Sequence, residues 1–130
     1  MIVCLRKVKV PPEERARFLG WIEENRELRE SHGILLELVL DRSERQNPKK
    51  TLPRPDPESA EDGEMTVLTA WASHEASDAW IETPDRDRLT DSAVHGSVQY
   101  RPITRHDVVG GYLNLPGLDE VADALKEGTL

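Results

Sequence analysis

The sequence predicts an α+β domain in which strands and helices follow one another in the order βαββαβ. Three observations predict it: apolar residues alternate over residues 1–10, two more strand-like segments lie at 33–41 and 64–72, and helical apolar stripes follow the first and third of these strands. The 130 residues, 37% hydrophobic and 32% charged, match one soluble globular domain. We therefore expect a single core that needs no disulfide or metal to hold it.

The first strand carries a charged residue on its apolar face. Arg6 shares that face with Ile2, Cys4, Val8 and Val10. Pro11 ends the strand, and Pro12 suits the first position of a helix. The helix predicted from there has an inward stripe at three- and four-residue steps, made of Phe18, Trp21, Ile22, Asn25 and Leu28. Gly33 is a typical residue to end it.

The second and third strands are apolar on both faces. One face of the second is predicted to hold Ile34, Leu36, Leu38 and Leu40; the other holds Leu35 and Val39 on either side of Glu37. The third alternates in the same way, with Met65, Val67, Thr69 and Trp71 opposite Leu68, Ala70 and Ala72. Such strands need cover on both faces. Helices supply one cover and a second copy of the chain is the candidate for the other, so we expect a homodimer.

A second helical region and a last strand complete the order. Ser73 suits the N-cap of a helix whose inward stripe is Ala76, Ala79 and Trp80. Thr83 and Pro84 restart a second helical segment. A final strand is predicted over residues 102–109, followed by a tail helix with an apolar side of Leu118, Val121, Ala122 and Leu125. This order of elements is the ferredoxin-like arrangement, with an antiparallel sheet.

Two segments fall outside the βαββαβ pattern. Residues 42–63 contain four prolines and almost no large apolar residue, which favours a flexible surface loop inserted between two strands; a pocket lid or a partner contact is the alternative. Residues 113–130 form a C-terminal tail with the short helix. The predicted domain therefore covers residues 1–112, with the loop as an insertion.

Charge and cysteine content exclude several classes of function. A net charge of −8 argues against a nucleic-acid or anionic-membrane partner, because both need a basic surface. The lone Cys4 cannot form an internal disulfide, and with no signal peptide or membrane span predicted we expect a cytoplasmic protein. The alternation around Cys4 favours an inert buried thiol over a nucleophile. Four scattered histidines have no metal-binding spacing, so no metal is expected, and the lack of a glycine-rich phosphate loop argues against a nucleotide cofactor.

Two tryptophans mark the corner between the third strand and the helix after it. Trp71 ends the strand and Trp80 lies nine residues later on the helix. A buried indole needs a partner for its N–H, so two at one corner call for an explanation. They form either a corner of the core or the wall of a ligand pocket.

The stretch MTVLTAWASHEASDAWIETP (residues 65–84) resembles the signature of antibiotic biosynthesis monooxygenase (ABM) domains. In that signature a strand ends in Trp-x-Ser, a helix starts with x-Glu-Ala, and a second tryptophan follows. The resemblance implies a ferredoxin-like protomer that packs its sheet on that of a twin, giving a dimeric α/β barrel. It also implies a substrate pocket between sheet and helices, at which we place Trp71, Trp80 and Trp21.

Members of this family include cofactor-free oxygenases of polycyclic phenols and haem-degrading enzymes. The haem-degrading branch uses an asparagine in the first strand and a histidine ten residues after the second tryptophan. Here residues 1–10 contain no asparagine, Thr90 stands at the second position, and His95 comes five residues late. Haem degradation is therefore disfavoured.

The resemblance implies a cofactor-independent monooxygenase acting on a polycyclic phenol or quinone-like aromatic. A non-catalytic dimeric protein that binds a small molecule is the alternative, and catalysis itself stays open. Candidate catalytic groups are Arg6, Asn25 and His95, each with a plainer interpretation as a surface, capping or loop residue. Glu37 is either a base in the barrel or part of an interface salt bridge.

Overall fold

The computed structural model describes residues 1–42, 63–90 and 97–112. Its strands are β1 (Ile2–Lys9), β2 (Ile34–Leu40), β3 (Glu64–Trp71), β4 (Gln99–Tyr100) and β5 (Thr104–Asp107). Its helices are a 3-10 turn (Pro12–Glu14), α1 (Arg15–Glu24), α2 (Arg26–Ser31), α3 (His74–Ile81) and α4 (Pro84–Thr90). Most of the predicted loop, the tail helix and His95 lie outside the described residues.

Strand β1 lies in the middle of one antiparallel sheet. It pairs with β3 along its whole length, from Ile2 opposite Trp71 to Lys9 opposite Glu64. Its other edge pairs first with β5 and then with β4, and β2 adds to the outer edge of β3. The strand order is β2-β3-β1-β4, with β5 also beside β1. The predicted α+β, ferredoxin-like fold with an antiparallel sheet is confirmed.

The core lies between one face of this sheet and the helices, in two clusters. The first is made of Val8, Val10, Phe18, Met65 and Val98. The second is made of Ile2, Cys4, Trp71 and Trp80. The predicted apolar alternation of the first strand therefore faces the helices, and Cys4 is buried as expected. No helix within the described ranges has the length and apolar character needed to cross a membrane.

The final strand differs from the single segment predicted over residues 102–109. Within that range the structure has only β5, and a second short strand, β4, lies before it, with Pro102 between the two. The last ladder bond before the break runs from the N–H of Arg101 to the carbonyl of Lys7, at 3.0 Å. Proline has no N–H to donate, so the ladder is interrupted there and resumes at Thr104.

Strand β2 also departs from the predicted faces. Ile34 pairs with Trp71 and Leu36 pairs with the next residue, Ala70, so Leu35 is an extra residue in the ladder. Such a bulge shifts the side-chain alternation by one. Ile34 consequently shares the helix-facing side with Glu37 and Val39, and the prediction that it shares a face with Leu36, Leu38 and Leu40 is wrong.

The helix after the first strand is broken where it was predicted to be continuous. Asn25 separates α1 from α2 with a backbone conformation outside the helical range, and its side-chain amide donates to the carbonyl of Trp21 at 2.8 Å. An asparagine that bonds the backbone in this way competes with the helical ladder. Gly33, at φ +93°, follows α2 and is confirmed as the residue that ends the helical region.

Two further junctions fix the position of β3. Gly63 precedes it with φ +80°, and its carbonyl accepts a hydrogen bond from the N–H of Val10 at 3.0 Å. A Cβ at position 63 would lie 2.2 Å from the carbonyl oxygen of Val10, so only glycine fits. At the other end, the Ser73 hydroxyl accepts from the N–H of Ala76 at 3.1 Å, and the predicted N-cap of α3 is confirmed.

Candidate functional site

A cavity of about 430 Å³ lies between the helix-facing side of the sheet and the helices. All three tryptophans line it, together with apolar residues that include Val8, Phe18 and Ile34. Trp71 and Trp80 stack with ring centroids 6.4 Å apart, and Trp21 stacks on Phe18 at 6.3 Å. The predicted core corner is confirmed, because Trp71 and Trp80 belong to a core cluster, and the two residues also line the cavity. Their role at a ligand pocket stays a prediction.

Sequence spacing explains how these indoles come to face one cavity. Trp71 lies on the helix-facing side of β3, where its indole N–H donates to the hydroxyl of Thr69 at 3.2 Å. Trp80 lies on the last turn of α3, whose start is fixed by the Ser73 cap. The Trp80 ring also contacts the His32 ring, with centroids 5.0 Å apart.

Arg29 and Glu37 form an ion pair inside the cavity. The Arg29 Nε lies 3.5 Å from a carboxylate oxygen of Glu37, and both side chains are mostly buried. Arg29 also donates to the carbonyl of Ile22 at 3.1 Å and lies over the ring of Trp21. Burial raises the pKa of Glu37 above its ordinary value, although the Arg29 charge partly opposes the shift. Arg29 therefore has a carboxylate, a backbone carbonyl and an aromatic ring as partners within the protein.

Arg6 enters the same cavity from β1 with fewer partners. Its guanidinium carbon lies 5.4 Å from the centre of the Tyr100 ring, within the range of a cation–π contact. Its Nε is buried and has no hydrogen-bond partner among the described residues. Burial lowers the pKa of Arg6, and the neighbouring charge of Arg86 lowers it further. The sequence also allowed Arg6 to be a surface arginine at a strand edge. That interpretation is wrong, because β1 lies in the middle of the sheet and Arg6 lines the cavity.

Tyr100 contributes a neutral phenol at the end of β4. Although Tyr100 is 37% exposed, partial burial raises its pKa to about 12, even though the charges of Arg6, Arg29 and Arg86 favour its ionised form. The phenol therefore stays protonated at physiological pH. It gives the cavity a hydroxyl group without adding a negative charge.

Arg86 reaches the cavity from the first turns of α4. The Thr83 hydroxyl fixes this turn, since it accepts from the N–H of Arg86 at 3.2 Å and donates to the carbonyl of Trp80 at 2.8 Å. The neighbouring Asp85 lies 3.0 Å from the Nε2 of His32, which ties α4 to the end of α2. Arg86 thus lines the cavity from α4, whereas Arg6 lines it from β1.

The structure separates the three candidate catalytic residues of the sequence. Arg6 lines the cavity, whereas Asn25 does not appear in its described lining and bonds the backbone at the helix break. His95 lies outside the described residues. Arg29, Arg86 and Tyr100 line the cavity without having been predicted. A signal for Arg29 was present, because it follows Asn25 by four residues and so extends the same inward stripe.

The cavity carries positive charge in an acidic protein. Its described lining holds three guanidinium groups, from Arg6, Arg29 and Arg86, against the carboxylate of Glu37, which leaves two positive charges in excess. The chain as a whole has a net charge of −8. Within the described ranges, no group of three or more histidine, cysteine, aspartate or glutamate side chains is placed to hold a metal ion. An aromatic cavity with excess cations suits a planar, electron-rich anion.

Solved structures share this architecture over most of the chain. The fold is that of the antibiotic biosynthesis monooxygenases. SnoaB of Streptomyces nogalater, a cofactor-independent oxygenase, superposes with a TM-score of 0.61 at 10% identity, covering 85% of this chain and 94% of its own. MhuD of Mycobacterium tuberculosis, a haem degrader with two haems bound in its active site, gives 0.60 at 16% identity, with 86% and 99% covered.

A proposed antibiotic biosynthesis monooxygenase of Deinococcus radiodurans gives a TM-score of 0.57 at 19% identity, covering 90% of this chain and all of its own. No family model matches the chain, and no curated protein matches it. At these identities the likeness shows the ABM fold and leaves the chemistry to be argued from the cavity. The predicted resemblance to ABM domains is confirmed at that level.

Proposed function

We propose that this protein is a cofactor-independent monooxygenase that oxidises a polycyclic phenol or related quinone-like aromatic. The observation that carries the proposal is the Arg6 guanidinium, which lies in an aromatic cavity with a buried Nε that lacks a partner in the described chain. A buried donor without a partner is costly, and a phenolate oxygen would satisfy it. The stacked pair of Trp71 and Trp80 supplies a flat apolar surface for the rings.

In the proposed reaction a ring methylene of the substrate becomes a carbonyl. Glu37, whose pKa is raised by burial, takes a proton from the methylene carbon, and Arg6 stabilises the negative charge that moves onto the ring oxygen. The carbanion passes one electron to dioxygen, and the two radicals join to form a peroxide anion, which takes the proton back from Glu37 to give a hydroperoxide. Loss of water then leaves the carbonyl. Carbon is oxidised by dioxygen, one oxygen atom stays in the product and the other leaves as water.

The test is oxygen uptake with a dihydroxyanthrone as substrate, in buffer treated to remove metals and without flavin. We expect one dioxygen consumed per anthrone converted. Arg6→Gln should lower the rate at least about a hundredfold, the lower end of the range seen when an oxyanion donor is removed. Arg88→Gln is the matched control, because the Arg88 side chain is 76% exposed and pairs with Asp85 on the outside of α4. Equal rates in wild type and Arg6→Gln would contradict the role of Arg6.

A non-catalytic binding protein is the second candidate, and one observation favours it. The one carboxylate in the described lining, Glu37, is already paired with Arg29, which weakens it as a base. Saturable binding of the anthrone, seen as a change in its visible absorbance, without oxygen uptake above the uncatalysed rate would establish this alternative.

Haem degradation receives less support from the same cavity. Its described lining contains no histidine. The first strand contributes Arg6 to the lining, and residues 1–10 contain no asparagine. A shifted Soret band on titration with haem, followed by loss of the band with ascorbate as electron donor, would overturn this judgement.

The proposal includes a homodimer formed through the open face of the sheet. That face carries half-buried Leu38 and Leu68 beside Leu36 and Leu40, which are 42% and 43% exposed. An apolar sheet face of this kind favours a partner. A cytoplasmic location is also part of the proposal, since the chain has a single, unpaired cysteine.

A further inference from the structure

Two arginines of the cavity have no negative partner among the described side chains. Arg29 is neutralised by Glu37. The guanidinium groups of Arg6 and Arg86 make no hydrogen bond or ion pair within residues 1–42, 63–90 and 97–112. Both line the same cavity, Arg6 from β1 and Arg86 from α4.

These two cations act on each other across the cavity. The charge of Arg86 lowers the pKa of Arg6, which is the direction expected for two like charges brought close together. Arg6 nevertheless remains charged at neutral pH, because arginine does not deprotonate under ordinary conditions. The Tyr100 phenol beside them is neutral at that pH, so it does not offset their charge. The two arginines therefore repel each other, and an anion between them would relieve that repulsion.

We propose that Arg6 and Arg86 form an anion subsite for a carboxylate carried by the aromatic ligand. The inference rests on the proposed function and narrows its substrate to an acidic polycyclic phenol. One phenolate oxygen offsets a single positive charge, whereas the described lining leaves two in excess. A planar carboxylate offers two oxygens to the terminal nitrogens of Arg6 and Arg86, which leaves the buried Nε of Arg6 for the phenolate oxygen of the proposed function. The rings then lie on the tryptophan wall, and the acid group lies between β1 and α4.

The test compares two ligands that differ only in the acid group: a dihydroxyanthraquinone and its ring carboxylic acid. Both are titrated into the purified protein and followed by their visible absorbance. We expect the acid to bind at least about tenfold more tightly, which corresponds to one hydrogen bond to a charged group. The preference should shrink as salt is added, because salt screens the attraction.

Variants assign this preference to the two arginines. Arg6→Gln and Arg86→Gln should each remove most of the preference while keeping measurable binding of the neutral quinone. Arg6→Lys keeps the positive charge but loses the bidentate guanidinium geometry, so it should retain part of the preference for the acid. Arg88→Gln, on the exposed side of α4, should leave it unchanged. Melting temperatures of all variants show whether each remains folded. If Arg6→Gln does not fold, Arg86→Gln still tests the subsite.

The outcomes separate this inference from the proposed function. Equal affinity for the two ligands, or a preference that survives in both Arg6→Gln and Arg86→Gln, would overturn the carboxylate subsite and leave the aromatic cavity intact. Failure of both ligands to bind would overturn the subsite and the proposed function together. Oxygen uptake with the uncharged anthrone but no preference for the acid would support the monooxygenase alone.

Discussion

At the scale of single residues, the cavity combines a carboxylate with three guanidinium groups in an apolar setting. Burial disfavours the charged form of Glu37, and Arg29 only partly compensates, so the pKa of Glu37 is raised. The folded protein then holds this proton more tightly than the unfolded chain does. The stabilisation from the protonated form is full below the unfolded pKa and is lost as the pH rises through the folded pKa.

Glu37→Gln should therefore change how stability depends on pH. We expect the free energy of unfolding of the variant, minus that of the wild type, to increase as the pH rises from about 4 to neutrality, since glutamine does not titrate. Urea denaturation across this range measures the difference. Glu24→Gln, which removes an exposed carboxylate on α1, is the control and should show no such trend of comparable size. Parallel curves for Glu37→Gln and the wild type would contradict a raised pKa.

The residue scale also shows where prediction from sequence ends. The alternation of β1 was enough to place Arg6 on the helix-facing side, because strand periodicity is local. Arg86 and Tyr100 share a cavity with Arg6 only because of where α4 lies and because β4 pairs with β1, which no local pattern encodes. Asn25 fits the inward stripe of an unbroken helix, but its side chain bonds the backbone instead.

At the scale of elements, two glycines have opposite roles. Gly63 adopts a positive φ and lies against the carbonyl of Val10, so Gly63→Ala adds both backbone strain and a steric clash. We expect a loss of stability of at least about 1–3 kcal/mol. Gly20 lies in α1, and a Cβ added there would have no neighbouring atom within 4 Å, so Gly20→Ala should raise stability by about 0.5–1 kcal/mol. Chemical denaturation of both variants measures these effects, and equal signs would contradict the assigned roles.

The bulge in β2 and the break at Pro102 show how elements shape the cavity. The extra residue Leu35 turns Ile34 towards the cavity while Leu36 stays on the open face. Strict alternation predicts that Ile34 and Leu36 share a face. The bulge cannot be predicted in this way, because it depends on the register of β2 with β3. The break at Pro102 was not predicted, because the sequence places Pro102 at the start of the predicted final strand, a position that proline tolerates.

At the scale of the whole molecule, the proposed dimer explains why the sheet is apolar on its open face. Leu38→Lys places a charge in the middle of that face, and we expect it to convert a dimer into a folded monomer. Sedimentation velocity at tens of micromolar gives the mass, and circular dichroism reports the fold. Leu19→Lys, on the helix layer and 39% exposed, is the control and should remain dimeric. A wild-type protein that sediments as a monomer would contradict the proposal.

The placement of all three tryptophans around one cavity has an optical consequence. Every indole in the chain lies beside the candidate ligand site, so intrinsic fluorescence measures the state of that site and not an average over the molecule. If the helices separate from the sheet before the strands come apart, emission will change ahead of the far-ultraviolet signal of the sheet. Denaturation followed by both signals would then show whether the cavity opens as an independent unit or only when the whole domain unfolds.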